Sequence, residues 1–167
     1  MTEVYLDMDG VLADFCSEYF NVAGLSRMPC SEIPPAKKDP ILQRLIGTDF
    51  FARLHKYPDA DAIVSLTVKL FGHYNICSSP LRNDEENSKK YKTLWITKNL
   101  TPAPKTVIIT SKKSTYAKGP DGTPNILIDD KEKNIQEWVQ KGGVGIHYDA
   151  EVDSLSLLVS ELHSFVS

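Results

Sequence analysis

Short runs of apolar residues recur along the chain, and both faces of each run are apolar. Such runs are typical of strands buried inside a parallel sheet, where helices cover both faces. Many of their side chains are β-branched or aromatic, which also favours strands. The runs span residues 4–6, 74–77, 106–109, 125–128 and 144–148.

Between most of these runs, apolar residues recur at helical spacing, which predicts amphipathic helices. The repeating sets are Ile63, Leu66 and Leu70; Tyr91, Leu94 and Trp95; Ile135, Trp138 and Val139; and Leu155, Leu158, Val159, Leu162 and Val166. Gly142 and Gly143 provide a stop for the third helix. Alternating strands and helices predict an α/β fold, a doubly wound, Rossmann-like parallel sheet of about five strands with right-handed crossovers.

The segment 16–58 breaks this alternation. It has no clear strand and carries several prolines, at positions 29, 34, 35 and 40. We expect it to form a small helical cap inserted after the first strand. At 167 residues, the chain has room for one α/β domain, so the predicted domain is 1–167 with the cap inside it.

Composition narrows the class of protein. The apolar fraction of 41% and the charged fraction of 25% are those of a soluble globular domain. A net charge of −3 disfavours a protein that coats nucleic acid, because such proteins need a basic face to displace counterions. A small anion held by a few local cations is compatible with this charge.

The cysteines and the first residues of the chain bear on the cellular compartment of the protein. Cys16, Cys30 and Cys77 are scattered, form no C-x-x-C pair and have no histidine at ligand spacing. This pattern predicts neither a zinc site nor a disulfide, and it favours a reducing cytoplasm. No basic region followed by an apolar stretch opens the chain, and no run is long enough to span a bilayer, so we expect a cytoplasmic protein without a membrane segment.

Polar side chains follow three of the predicted strands, at the edge where doubly wound sheets bind their ligands. Asp7-Met8-Asp9-Gly10 follows the first strand, Ser78-Ser79-Pro80 the second and Asp129-Asp130 the fourth. Four carboxylates and two hydroxyl groups should therefore converge on one edge.

The spacing of the first two acids has a chemical logic. Residues two apart in an extended segment point the same way, so Asp7 and Asp9 can face one pocket, and Gly10 allows a sharp turn afterwards. Crowded carboxylates repel one another, and a hard cation such as Mg²⁺ relieves that repulsion. A calcium loop of the helix–loop–helix kind fails on spacing, because Val11 and Leu12 stand where an oxygen ligand and a glycine belong.

Each of the other two motifs also has a purely structural interpretation. Asp129-Asp130 could cap a helix, because an amphipathic run begins near Asn134. Ser78-Ser79-Pro80 could be a helix-entry turn. Their predicted place beside the first acids favours the chemical interpretation, in which Ser78 donates a hydrogen bond to a phosphate oxygen.

Four segments together resemble one family of enzymes. They are DMDGVLADF at 7–15, ICSSP at 76–80, KTLW at 92–95 and ILIDD at 126–130. The chain resembles the haloacid dehalogenase (HAD) superfamily of phosphotransferases, and within it the 5′(3′)-deoxyribonucleotidases and their phage and bacterial relatives. Residues 49–54 are similar to part of that family's cap. Two features depart from the family pattern: Ser78 stands where many relatives have threonine, and the cap is short and lacks a tryptophan-bearing segment.

The resemblance implies a hydrolase that removes phosphate from (deoxy)nucleoside monophosphates. Asp7 would be the nucleophile that forms an aspartyl-phosphate, and Asp9 the general acid and base. Mg²⁺ would be held by Asp7, by Asp9 through its backbone carbonyl, and by Asp129. Asp130 would support these ligands without touching the ion.

The resemblance also implies the groups that bind substrate. Ser78, Ser79 and a lysine would bind the phosphoryl oxygens. Lys92 matches the family position, and Lys113, after the third strand, is the reserve candidate. Phe15 resembles the aromatic residue on the nucleobase side of the pocket, although a core phenylalanine is an equally natural interpretation.

Other functions stay open at the level of sequence. The same chemistry could serve a sugar phosphate or a 3′-phosphate on nucleic acid, although the mild acidity disfavours a polymer. A magnesium-binding module without catalysis is a third possibility, which the full set of acids disfavours. The expected partner is a small phosphate ester, and a homodimer is among the open assembly states.

Overall fold

The computed structural model describes residues 1–166, apart from the side chain of Lys38; Ser167, the last residue of the predicted domain, lies outside the described residues. The strands are β1 (Val4–Leu6), β2 (Ala13–Asp14), β3 (His55–Lys56), β4 (Asn75–Ser78), β5 (Val107–Ile109), β6 (Ile126–Asp129) and β7 (Val144–His147). The α-helices are α1 (Phe15–Val22), α2 (Pro40–Leu45), α3 (Ala60–Phe71), α4 (Glu85–Asn99), α5 (Glu132–Gln140) and α6 (Leu155–His163). Short 3₁₀ turns cover Cys30–Glu32, Ala36–Lys38, Phe50–Arg53 and Lys113–Tyr116.

Strand β1 lies at the centre of a five-stranded parallel sheet with the order β5-β4-β1-β6-β7. Leu6 pairs with Ile76 on one side and with Ile128 on the other. Each apolar run identified in the sequence forms one of these strands, with ends that agree to within about one residue. The predicted α/β fold with a parallel sheet is confirmed.

Side-chain alternation along the strands divides the core between the two faces of the sheet. Leu6 and Ile128 pack in one cluster with Trp95 of α4 and with residues of α3 and α6. The intervening residues, Tyr5 and Leu127, pack on the other face against Trp138 of α5. Helices therefore cover both faces, which is why the strand sequences are apolar on both sides.

Three of the apolar helical stripes were too broad as predictions. In the last of them, Val159 and Val166 are exposed, and Val166 lies beyond the end of α6. Leu94 is 52% exposed, and the buried positions of α4 are Trp95 and Ile96 instead. Val139 is 51% exposed, while Trp138 is fully buried. Each of these helices buries a narrow stripe against the sheet, so an apolar residue at the margin of the stripe faces solvent.

The chain leaves the sheet after β1 and returns through a two-stranded ribbon. β2 and β3 are antiparallel, with Ala13 opposite Lys56 and Asp14 opposite His55. Asp14 also starts α1, because its carboxylate accepts a hydrogen bond from the amide of Ser17 at 2.9 Å. The segment between β2 and β3 consists of α1, α2 and three of the 3₁₀ turns; we call residues 15–54 the cap segment.

Cys16 and Cys30 form a disulfide, so the prediction of no disulfide was wrong. The chain folds back after α1, which brings the two Cα atoms to 5.6 Å although the residues are 14 apart in sequence. Such a pairing needs no spacing motif, so it could not be predicted from the positions of the cysteines in the sequence. Cys77 is a buried free thiol. The cytoplasmic location stays a prediction.

Among residues 1–166, no helix combines the length and the apolar character needed to cross a membrane.

Candidate active site

The loop after β1 begins the site. Asp7 continues the strand, because its amide donates to the carbonyl of Ile128 at 2.9 Å, and its side chain is almost fully buried. Gly10 has a φ of +83° and lies against the carboxylate of Asp130, which a Cβ atom would strike. The turn therefore needs glycine for its backbone conformation and also for space.

Asp7, Asp129 and Asp130 form a carboxylate cluster, with one oxygen from each within 4.8 Å of the others. The neighbouring ends of β1 and β6 bring them together. Asp130 takes part in the cluster itself, whereas the sequence assigned it a place behind the ligands. The ammonium group of Lys113 bridges two of the three acids, at 2.9 Å from Oδ1 of Asp7 and 2.7 Å from Oδ2 of Asp129.

Burial and nearby charges shift the pKa values of the three acids in different directions. Burial raises the pKa of Asp7, but the charges of Lys113 and Lys92 outweigh burial and hold the pKa below its ordinary value. Burial and the charge of Asp7 raise the pKa of Asp129. Burial, together with the charges of Asp7 and Asp129, raises the pKa of Asp130 to about 9.

The donor set fits a hard divalent cation. The oxygens are carboxylates, which Mg²⁺ prefers, and they are crowded in a buried place. Oδ1 of Asp130 is buried and has no hydrogen-bond partner among the described residues. A buried acceptor without a partner is costly, and a bound cation would remove that cost.

A second group of polar side chains surrounds Lys92, which lies on α4 and is fully buried. Its ammonium group donates to Oδ2 of Asp9 at 2.9 Å, to Oγ of Ser78 at 2.7 Å and to the carbonyl of Ser79 at 2.6 Å. The ammonium group also lies 4.4 Å from the ring centroid of Phe51. The carboxylate of Asp9 thus pairs with Lys92 and lies outside the carboxylate cluster.

Both candidate lysines are in the site, with different partners. Lys113 is only 4% exposed, although it lies in the connection between β5 and β6 and not in the sheet. The 3₁₀ turn after β5 directs the side chain inward, and its burial is tolerated because two carboxylates bind the ammonium group. Burial alone would lower the pKa of Lys113, but the charges of Asp7 and Asp129 outweigh burial and raise the pKa above its ordinary value. Its place after the carboxyl end of a strand was the signal for this role.

Part of this site forms the floor of one cavity of about 660 Å³, whereas Ser78, Lys92 and Asp129 are fully buried behind it. The floor includes Asp7, Asp9, Lys113 and Asp130, and Ser79 and Pro80 also line the cavity. The opposite wall comes from the cap segment and is mainly apolar: Phe15, Cys16, Cys30, Ile33, Pro34, Ala36, Leu42 and Phe51. The cavity is therefore polar and charged at one end and apolar at the other.

Phe15 packs against other aromatic residues of the cap segment and also lines the cavity; its place beside a nucleobase stays a prediction. It packs edge-on against Phe50, with ring centroids 5.3 Å apart, and is also close to Tyr19. It remains only half-buried and lines the cavity. A ring fixed by its neighbours in this way offers a rigid apolar surface to a ligand.

Asn134 is a member of the site that sequence reasoning missed. Its side-chain amide donates to Oδ2 of Asp129 at 3.1 Å, while the backbone amide of Lys131 donates to Oδ1 at 2.9 Å. The sequence treated Asn134 only as the start of a helical run. A polar residue one helical turn after a strand-end acid was the available signal.

Comparison with known proteins agrees with this fold. A HAD-superfamily hydrolase from Ehrlichia chaffeensis has a TM-score of 0.56 and 14% identity, and the match covers 100% of both chains. A HAD family hydrolase from Deinococcus radiodurans, solved with bound phosphate and sodium, has a TM-score of 0.52 and 14% identity over 97% of this chain and 88% of its own. A HAD family enzyme from Bacteroides thetaiotaomicron, a mutant solved with magnesium and inorganic phosphate, has a TM-score of 0.50 and 16% identity over 94% and 98%. No family model and no curated protein matches the sequence.

Proposed function

We propose that this protein is a Mg²⁺-dependent phosphomonoesterase that hydrolyses (deoxy)nucleoside monophosphates through an aspartyl-phosphate. The observation that carries the proposal is the shared floor of the cavity. Asp7, Asp9 and Lys113 line this floor, and Lys113 binds Asp7. Lys92 lies buried behind Asp9 and binds both Asp9 and Ser78. A nucleophile and a proton carrier thus face one space, each with a cation bound to it.

Asp7 and Asp129 would hold Mg²⁺, together with the backbone carbonyl of Asp9, and Asp130 lies close enough to contribute. When bound, the ion would neutralise negative charge on the nucleophile and the phosphoryl group. The HAD fold is compatible with this assignment, because the Bacteroides enzyme was solved with magnesium and inorganic phosphate.

In the first step, a carboxylate oxygen of Asp7 attacks phosphorus and the ester P–O bond breaks. The amide of Met8 and the ammonium group of Lys113 both bind Oδ1 of Asp7, so Oδ2 is the oxygen we assign to the attack. Lys92 and Ser78 bind the phosphoryl oxygens as charge develops on them. An incoming phosphoryl oxygen would compete with Asp9 for Lys92. The released Asp9 carboxylate takes a proton from solvent and donates it to the leaving ester oxygen.

In the second step, Asp9 accepts a proton from water, and the water oxygen attacks the phosphorus of the aspartyl-phosphate. The P–O bond to Asp7 breaks, which releases inorganic phosphate and restores the Asp7 carboxylate. Asp9 suits both proton transfers because its carboxylate is 25% exposed and lines the cavity, whereas Asp7 and Asp129 are more deeply buried.

The apolar wall supports the proposed substrate class. Phe15 and Phe51 line the cavity on the side of the cap segment, and an aromatic base could stack there. Stacking of a base on an aromatic side chain contributes about 1–3 kcal/mol. A sugar phosphate is polar throughout and would leave this wall without a matching group, so a nucleoside is the better fit.

Turnover measurements on purified protein test the proposal. With Mg²⁺, the protein should release phosphate from dUMP faster than from a sugar phosphate or a 3′-phosphorylated oligonucleotide, and EDTA should abolish release. Asp7→Asn should remove activity, whereas Asp121→Asn, on an exposed loop, should not. Absence of turnover on every ester would refute the phosphatase, and preference for the sugar phosphate or the oligonucleotide would refute only the substrate class.

A further inference from the structure

Asn134 is a half-buried amide at the third position of α5, and it reaches back to the carboxylate cluster. Its Nδ2 atom lies 3.1 Å from Oδ2 of Asp129, and the residue also lines the cavity. Neither the fold nor the proposed chemistry requires an amide at this position.

The helix itself gains little from this residue. Asparagine is a weak helix former, and the third position of a helix favours glutamate or glutamine, which can bond back to the cap residue. The cap residue of α5 is Lys131, whose side chain makes no capping bond. The amide of Asn134 instead bonds to Asp129, outside the helix.

The carboxylate of Asp129 is held by three donors of different kinds. The backbone amide of Lys131 binds Oδ1, and Lys113 and Asn134 both bind Oδ2. Lys113 neutralises part of the negative charge of Asp129 and also binds Asp7, so it cannot fix Asp129 without weakening the attraction for a cation. Asn134 is neutral and can fix the rotation of the carboxylate while leaving its charge available.

We propose that Asn134 is a positioning residue for the divalent cation, acting through Asp129; this inference rests on the metal site of the proposed function. Partners of this kind orient a ligand before the ion arrives, and removing one typically weakens metal affinity or activity by about 10–100-fold. The residue touches neither the reacting atoms nor the substrate phosphate in this scheme.

The test is Mg²⁺ binding to the full chain, measured by calorimetry without substrate. Asn134→Ala should weaken binding about 10–100-fold. Its melting temperature without metal should stay the same or rise, because alanine favours the helix. Gln136→Ala, an exposed amide on the same helix, is the matched control and should leave Mg²⁺ affinity unchanged. Asn134→Leu, of similar size but without a donor, should behave like Asn134→Ala even if the smaller side chain disturbs packing.

Activity separates the outcomes. Saturating Mg²⁺ should restore most of the turnover of Asn134→Ala, with an unchanged KM for the monophosphate. Binding by both variants within twofold of the natural protein would overturn the inference while leaving the phosphatase intact. A natural protein that binds Mg²⁺ but hydrolyses nothing would refute the proposed function, and the binding comparison would still decide the role of Asn134. No Mg²⁺ binding at all would overturn both.

Discussion

Replacing Lys113 should destabilise the protein far more than replacing its neighbour. Lys113→Met keeps the aliphatic stem but removes the charge that bridges Asp7 and Asp129. Both acids are buried, so the variant keeps two carboxylates without their cation. Removing one partner of a buried ion pair costs about 3–5 kcal/mol, because the remaining charge stays desolvated. Lys112→Met is the control, since Lys112 is exposed.

Urea unfolding in EDTA measures the effect. With a typical slope of about 2 kcal/mol per M, the loss shifts the midpoint down by roughly 1.5–2.5 M. Without the lysine, the folded-state pKa values of the two acids rise above their unfolded values. The deficit should therefore grow as pH rises and shrink towards pH 5, where the acids take up protons. Mg²⁺ should recover part of the loss, because it supplies the missing positive charge to the folded state alone.

A midpoint for Lys113→Met that matches that of Lys112→Met at pH 8 in EDTA would refute this reasoning. It would mean that the cluster carries no net charge in the folded protein, and the case for a cation in the proposed site would lose its electrostatic basis.

Other regions of the molecule give three further predictions. Gly10→Ala should weaken Mg²⁺ binding and stability more than Gly122→Ala, because both glycines have a φ of +83° but only Gly10 faces a carboxylate that the new methyl group would strike; equal losses, by calorimetry and urea unfolding, would mean that backbone strain alone matters. Reduction of the Cys16–Cys30 disulfide should lower the free energy of unfolding by about 3 kcal/mol and raise KM for a monophosphate, because it constrains a short loop and its residues form part of the cavity wall; the Cys16→Ser/Cys30→Ser variant should not respond to reductant. Burial raises the pKa of Glu3, but hydrogen bonds from other side chains outweigh burial and lower the pKa from 4.5 to about 2. Ionised Glu3 therefore contributes up to about 1 kcal/mol to the free energy of unfolding above pH 4.5, and this contribution is lost towards pH 2. Glu3→Gln should accordingly destabilise at pH 6 and have little effect near pH 2, as urea unfolding at the two pH values would show.

The sheet was predictable because strands that are buried on both faces have continuous apolar sequences. Residues 4–6 and 126–129 carry no polar side chain until Asp129, and the strands end where the acids begin. The same regularity predicts that Asp7, Asp129 and Asp130 lie at one edge of the sheet. Local sequence is sufficient here because the parallel sheet aligns the ends of its strands.

Features that depend on how loops fold were not predictable in the same way. Nothing in the sequence around Lys113 distinguishes it from exposed Lys112, and only the 3₁₀ turn after β5 directs one inward and leaves the other outside. The pairing of Cys16 with Cys30 likewise depends on the return of the chain after α1. Asn134 was missed because its partner, Asp129, lies on another element.

The short ribbon of β2 and β3 bears on how such a protein can change its substrate. The chain enters the ribbon at Ala13 and leaves it before Tyr57, whose amide donates to the carbonyl of Leu12 at 2.9 Å. Departure and return are thus side by side, and a longer or shorter excursion could close at the same place for little additional entropy. Evolution or protein engineering could therefore replace the whole cap segment and change which leaving groups the cavity accepts. The residues proposed for phosphoryl transfer would stay as they are, because they lie outside residues 15–54.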